Sequence, residues 1–313
     1  MHLFSYLSRG QVRSARQVGE LGLDLNYSAE LFRKDHSNIE VSFNSLPISL
    51  SELLLLGSEG IKFSNEVTDW ILSTFPISQL KDLENEAAFN IQEVTFLAPI
   101  PRPGKVICIA GNYPTSNESE KPDFPTVFLK PSGGVIGNQQ SIIVPKIAES
   151  VTYEVELAVV IGKRGRNLTP QDTLSVIAGY TIANDLGDRL LEKRTSQWSS
   201  GKMFDTFTPM GPILITPDEL IDISNLALFT KVNDRVVQKG NTSQMFFDVP
   251  QLISYISTLT TLDPGDVILT GSPKLMDGEP NPIVVLRPGD NVQVGIETIA
   301  TLTNPVNAEK AVV

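Results

Sequence analysis

The sequence predicts an α+β, β-rich fold, and three observations carry that expectation. Residues 153–163 and 178–185 read as two buried strands, apolar and rich in Val, Ile and Leu. Near the end of the chain a Pro-Gly turn twice precedes a strand, at Pro264-Gly265 and at Pro288-Gly289. The regular helical crossovers that a doubly wound sheet requires are few.

Taken in order, residues 1–98 form the less distinctive part. Residues 3–7 read as an opening strand and residues 51–56 as a short buried helix that ends at Gly57. Asn65 is expected to cap a helix that carries Val67, Trp70, Ile71 and Phe75 on one face and stops at Pro76. This part is predicted to be a small N-terminal cap module, residues 1–98, ahead of a larger domain, residues 99–313. Pro99, Pro101 and Pro103 mark the boundary, because such a run fits neither a helix nor a central strand.

Past the boundary, residues 105–110 read as a strand. Residues 114–123, polar and carrying Glu118, Glu120 and Asp123, read as a mobile loop or lid. A strand follows over residues 126–130, then a Gly133-Gly134 turn that lacks the Lys-Ser/Thr of a phosphate loop. Thr169 is expected to cap a helix over residues 171–177, with Pro170 at its first position. Residues 186–198 are charged and helix-compatible, and residues 201–212 read as irregular. The remaining expectations are strands over 226–232 and 235–238 joined by an Asn233-Asp234 turn, and a helix over 249–259.

Composition narrows the function. The chain has 313 residues, 41% of them hydrophobic, and a net charge of −11, which disfavours nucleic acid or an anionic membrane as a partner. Cys108 is the single cysteine, so an internal disulfide and a cysteine-based zinc site are excluded. His2 and His36 are the only histidines, which argues against a Ser-His-Asp triad and a three-histidine zinc site. Arg9, Arg13 and Arg16 are not followed by an apolar core, and no run is long enough to span a membrane, so a cytoplasmic location is expected.

Chemistry concentrates in the strand over residues 153–163. Side chains alternate along a strand, so Glu154 and Glu156 share a side. Two neighbouring carboxylates in an apolar strand repel each other, and a hard cation that accepts oxygen ligands relieves the conflict. The same spacing also fits a solvated strand face. Asp185, at the end of the second strand, favours the cation if the two strands are neighbours.

These stretches together resemble the fumarylacetoacetate hydrolase family. The blocks are residues 105–109, 153–163, Asn184-Asp185 with Arg189, residues 201–207, Val232-Asn233, residues 240–242 and residues 264–273, in that family's order. The resemblance implies a β-rich fold of that type, a mixed sheet roll or sandwich, and a homodimer. It also implies Mg²⁺, or Mn²⁺, held by Glu154, Glu156 and Asp185. The substrate it implies is a small anionic 2-oxo or β-diketo acid. Lys202 and Arg189 match positions that face the substrate. Tyr113, Lys130, Glu192 and Thr270 are expected to bind it, Thr270 through a substrate carboxylate.

The departures bear on the reaction. Many hydrolases and decarboxylases of the family place a histidine and, three residues later, a glutamate on the lid, where this chain has Ser116 and Ser119. Glu118 and Glu120 are displaced in register but are the candidate bases that the lid offers. Gly187-Asp188 replaces a Ser-Ala pair, Glu192 stands where a glutamine is common, and Lys274-Leu275-Met276 replaces a glycine-rich continuation. Hydrolytic C–C cleavage is the leading expectation. Tautomerisation, dehydration or decarboxylation through the same enolate chemistry is the alternative, and a non-catalytic metal-binding scaffold the competing class.

Overall fold

The strand Val155–Ile161 is apolar at nearly every position because both of its faces are covered. Val155, Leu157, Val159 and Ile161 join the core between two sheets, where they meet Leu228, Val292 and Val294. Ala158 and Val160 point the other way, into a core shared with Leu3, Leu25, Leu50 and Leu53 of the N-terminal part. The computed structural model describes residues 1–37, 43, 45–83, 87–116, 118–220, 222–275 and 283–310. Met276 and one residue of the expected lid, Asn117, lie outside the described residues.

One sheet has eleven strands. Its path runs Ala88–Asn90, Leu21–Asp24, Gln11–Val18, His2–Ser8, Leu214–Ile215, Ile177–Asn184, Val155–Ile161, Val267–Leu269, Val106–Ala110 and Thr126–Lys130, with Thr95–Phe96 paired beside His2–Ser8. Pairing is antiparallel except between Val267–Leu269 and Val106–Ala110. The N-terminal strands thus extend the sheet that carries the carboxylates, through His2 opposite Ile215. The second sheet orders Arg235–Asn241, Ala227–Val232, Asn291–Ile296, Ala300–Ala308 and Ile142–Val144. Sheet against sheet, with helices on the outer face, gives the β-rich α+β architecture expected from the sequence.

Several local expectations hold. The helix Val249–Leu259 starts on an Asp248–Gln251 capping box and buries Leu252, Ile253 and Ile256. Asn233 and Asp234 take positive φ in the hairpin turn. Others change. Asn65 is interior to the helix Gly57–Thr74, not its cap. Gly57, at φ +63°, makes the turn out of the preceding helix Leu50–Leu55, and the longer helix starts there. The helix expected after Thr169 is a 3₁₀ turn, Pro170–Val176.

Residues 186–198 do not form one helix. Gly187–Asp188 pairs with Val151–Thr152, and only Arg189–Glu192 is helical. Asp188 caps it through Leu190 and Leu191 N–H and also accepts from Glu149 and Ser150 N–H, so the polar residue that replaces an alanine is fully used. Beyond Lys193 the Thr195 hydroxyl accepts from Gln197 N–H, a local turn that competes with helix. A second short helix, Ser199–Lys202, forms where irregular chain was expected.

Candidate metal centre and substrate pocket

Strand register brings the acidic residues together. Val155 pairs with Asn184 and Glu156 with Ala183, and Asp185 N–H donates to Glu154 O at 2.9 Å. Glu154 and Asp185 are therefore opposite one another just past the paired strands. Directly opposed residues of an antiparallel pair project to the same face, so both join Glu156. One carboxylate oxygen from each of the three lies within 4.8 Å of the others.

Each carboxylate is held differently. Glu156 is buried and accepts Gly271 N–H at 2.6 Å, and no cationic side chain bonds to it among the described residues. Burial, then the charges of Asp185 and Glu154, push its carboxyl well above the usual range. Burial would also raise Asp185, but Lys130 and Lys202 overcome it and hold that carboxyl below its ordinary value. Glu154, partly exposed, accepts from Arg189 at 2.9 Å and Lys202 at 2.6 Å.

The cations are tied in as well. Lys202 is buried, donates to Glu154 and stands 3.0 Å from Asp185 Oδ2 and 4.0 Å from Glu192 Oε1. Burial alone would lower its pKa, yet Asp185, Glu154 and Glu192 carry it well above the ordinary lysine value. Arg189 reaches Glu154 and, through Nε, the Thr152 hydroxyl at 3.1 Å.

A cavity of about 330 Å³ opens on this cluster, lined by Glu154, Glu156, Asp185, Arg189, Glu192 and Lys202 with Phe128 and Trp198 on its apolar side. A second, about 540 Å³, shares Gly111, Glu154, Arg189 and Ser272 with it and adds Tyr113, Lys193 and Lys274. Tyr113 lines only the second. Its hydroxyl is buried without a hydrogen-bond partner among the described residues, and burial followed by the Glu156 charge pushes its pKa up.

Four sequence expectations are placed elsewhere. Lys130 does not face the cavity: its ammonium donates to Asp185 Oδ1 at 2.5 Å, Leu186 O at 2.9 Å and Phe207 O at 2.7 Å, leaving no proton for a substrate. Thr270 is also turned away, its hydroxyl donating to Leu157 O at 2.9 Å. Glu118 and Glu120 are exposed and line neither cavity. Ser116 and Ser119 close a turn on each other, the Ser119 hydroxyl accepting Thr115 and Ser116 N–H.

Sequence reasoning missed Gly271. Its φ of +95° aims its N–H at Glu156, and a Cβ there would lie 2.7 Å from Asn112 Cβ. Asn112 in turn clamps Thr270 O and Phe247, fixing the turn. The Gly-Ser-Pro run was a sequence signal for a turn, but not for an N–H pointing inward.

The donor set fits a hard divalent cation. All three candidate ligands are carboxylates, two are buried, and Glu156 has no cationic partner among the described residues. The cavity is lined by four carboxyl groups and two cations, Lys202 and Arg189, with Lys130 behind Asp185. A divalent ion would offset the acidic excess and so favour an anionic ligand.

The Fumarylacetoacetate (FAA) hydrolase C-terminal family matches residues 105–307, which contain every residue of the acidic cluster. The chain belongs to the fumarylacetoacetate hydrolase family. Among curated members it is 42% identical over 218 residues to the mitochondrial oxaloacetate tautomerase of Rattus norvegicus, covering 68% of this chain and 70% of that protein. It is 35% identical over 267 residues to the Xenopus laevis oxaloacetate tautomerase, covering 84% and 79%. Among solved structures, the fumarylacetoacetate hydrolase of Exiguobacterium antarcticum superposes with a TM-score of 0.78 at 28% identity, over 99% of this chain and 100% of that one. The 5-carboxymethyl-2-hydroxymuconate delta-isomerase of Mycobacterium smegmatis gives 0.72 at 29% identity, with the same coverage. Family members of this fold thus include hydrolases and isomerases.

Proposed function

We propose that this chain is a divalent-metal-dependent tautomerase of a small 2-oxo acid such as oxaloacetate, with Mg²⁺ or Mn²⁺ on Glu154, Glu156 and Asp185. One observation carries the choice of tautomerisation over hydrolysis. Ser116 and Ser119, at the positions of the lid histidine and glutamate, bond within an exposed turn and cannot activate a water. Keto–enol interconversion needs charge stabilisation and proton transfer but no attacking water. The names of the curated relatives, oxaloacetate tautomerases, support the same reading.

When bound, the cation would polarise the 2-oxo carbonyl and stabilise negative charge on its oxygen. The chain's own residues do the rest. Lys202 and Arg189 present positive charge to the substrate carboxylate from two sides of Glu154. Phe128 and Trp198 exclude water from that side of the cavity. Tyr113 lines the second cavity and would bound the distal end of the substrate there. Leu129 and Met203, large apolar side chains 61% and 56% exposed, are ones that a homodimer would cover.

The test follows the ultraviolet absorbance of enol-oxaloacetate with purified protein and Mg²⁺ or Mn²⁺. Faster equilibration, lost in chelator and in Glu156→Gln, is the expected result. Cleavage of an acylpyruvate without tautomerisation would favour the hydrolytic reading. Cation binding without turnover of any 2-oxo acid would leave a scaffold.

A further inference from the structure

Enolisation needs a group that removes a proton from the carbon beside the carbonyl and later returns one. Of the four carboxylates lining the cavity, three are already engaged. Glu154 accepts from Arg189 and Lys202, Asp185 from Lys130, and Glu156 from Gly271 N–H, and these three form the cation-holding cluster. Glu192 is different. It accepts no hydrogen bond among the described residues, and Lys202 Nζ at 4.0 Å is beyond hydrogen-bond reach.

The place of Glu192 is built by two glycines. A Cβ at Gly187 would lie 2.0 Å from Glu192 Oε1, and one at Gly201 would lie 2.6 Å from its Cγ. No other residue at either position leaves Glu192 where it stands. Its side chain is 10% exposed, so it reaches the cavity while staying shielded from bulk water.

We infer that Glu192 is the catalytic base and acid of this site, in the role that the exposed Glu118 and Glu120 cannot fill. The inference rests on the tautomerase reading. Glu192 takes the proton from C3 as the C3–H electron pair becomes the C2=C3 bond and the carbonyl pair moves onto oxygen. The enol oxygen takes a proton from water and Glu192 gives its own to water, so no co-reactant is consumed. In the return direction Glu192 regains a proton from water and delivers it to C3 as the enol oxygen gives its own to water. The charged groups facing it are Lys202 on the following helix, Arg189 on its own helix, and Glu154 and Asp185 at the strand ends. Burial outweighs Lys202 and holds the Glu192 carboxyl above its ordinary value, the direction that makes a carboxylate a stronger base.

The experiment compares wild type, Glu192→Gln and Glu192→Asp, each loaded with Mn²⁺. Tautomerisation of oxaloacetate is read by ultraviolet absorbance, C3–H exchange of a 2-oxo acid in D₂O by proton NMR, and Mn²⁺ binding by calorimetry. Glu192→Gln should lose about 100-fold or more in kcat and in exchange, the low end of general acid–base catalysis, with unchanged Mn²⁺ affinity. The rising limb of the kcat–pH profile should vanish with it. Glu192→Asp, which retains a carboxyl, should turn over slowly with that limb preserved, and it serves alone if the amide variant does not fold. Wild-type turnover with Glu192→Gln within about threefold in kcat, or impaired only in KM, overturns the inference and leaves the proposed function standing. A Mn²⁺-loaded wild type silent in both assays overturns both.

Discussion

Lys130 offers the sharpest test of how the site is held. Its side chain is fully buried, and its ammonium is shared among Asp185 Oδ1, Leu186 O and Phe207 O. Lys130→Met preserves the stem and deletes all three donors. Hydrogen bonds involving a charged partner contribute roughly 1.5–3 kcal/mol, and breaking a buried ion pair costs about 3–5 kcal/mol. Asp185 keeps Lys202 at 3.0 Å, which limits the loss. The expected destabilisation is about 3–5 kcal/mol, or roughly 6–10 °C at about 2 °C per kcal/mol for a chain of this length. Thermal and urea melts of the metal-free protein measure it. A loss below about 1 kcal/mol would refute the reasoning that Asp185 depends on this lysine.

Three further outcomes follow from other residues. Gly271→Ala forces a Cβ to 2.7 Å from Asn112 Cβ at φ +95°, so divalent-cation affinity should fall about tenfold as the N–H shifts from Glu156, read by calorimetry. Arg189→Leu should raise KM about tenfold with little change in kcat, because a partly exposed guanidinium contributes binding charge at reduced strength. Tyr6 donates to Asp24 Oδ2 at 2.6 Å, and burial followed by Asp24 pushes its phenol above its ordinary value of 10.0. A raised folded pKa gives stability that is complete below that value and is lost as pH rises past it. Wild type should lose melting temperature from pH 9 to pH 11.5 more steeply than Tyr6→Phe, and parallel curves would contradict this.

The strands were legible because their faces are decided locally. The apolar run of Val155–Ile161 and the Glu154/Glu156 alternation are properties of consecutive residues, and the family order supplied the partner strand. The capping box at Asp248 and the Asn233-Asp234 turn were equally local. What stayed hidden depends on distant partners. Lys130 reads as one more pocket cation until the carbonyls of Leu186 and Phe207 are seen around it. Thr270 reads as a carboxylate ligand until its hydroxyl is seen on Leu157 O. Gly187 and Gly201 look like punctuation, and only their distance from Glu192 shows that they make room for it. Asn65 was misplaced because Gly57, at φ +63°, lets the chain turn and start the helix there, so Asn65 lies inside it.

Calorimetric titration of the metal-free chain with Mn²⁺, beside Glu156→Gln, tests the central claim most directly. The account predicts one ion per chain, a melting temperature that rises with free Mn²⁺ by the equivalent of about 2.7 kcal/mol at 100 times Kd, and both effects largely lost in the variant. Absence of binding, or binding as tight in Glu156→Gln as in wild type, would contradict it.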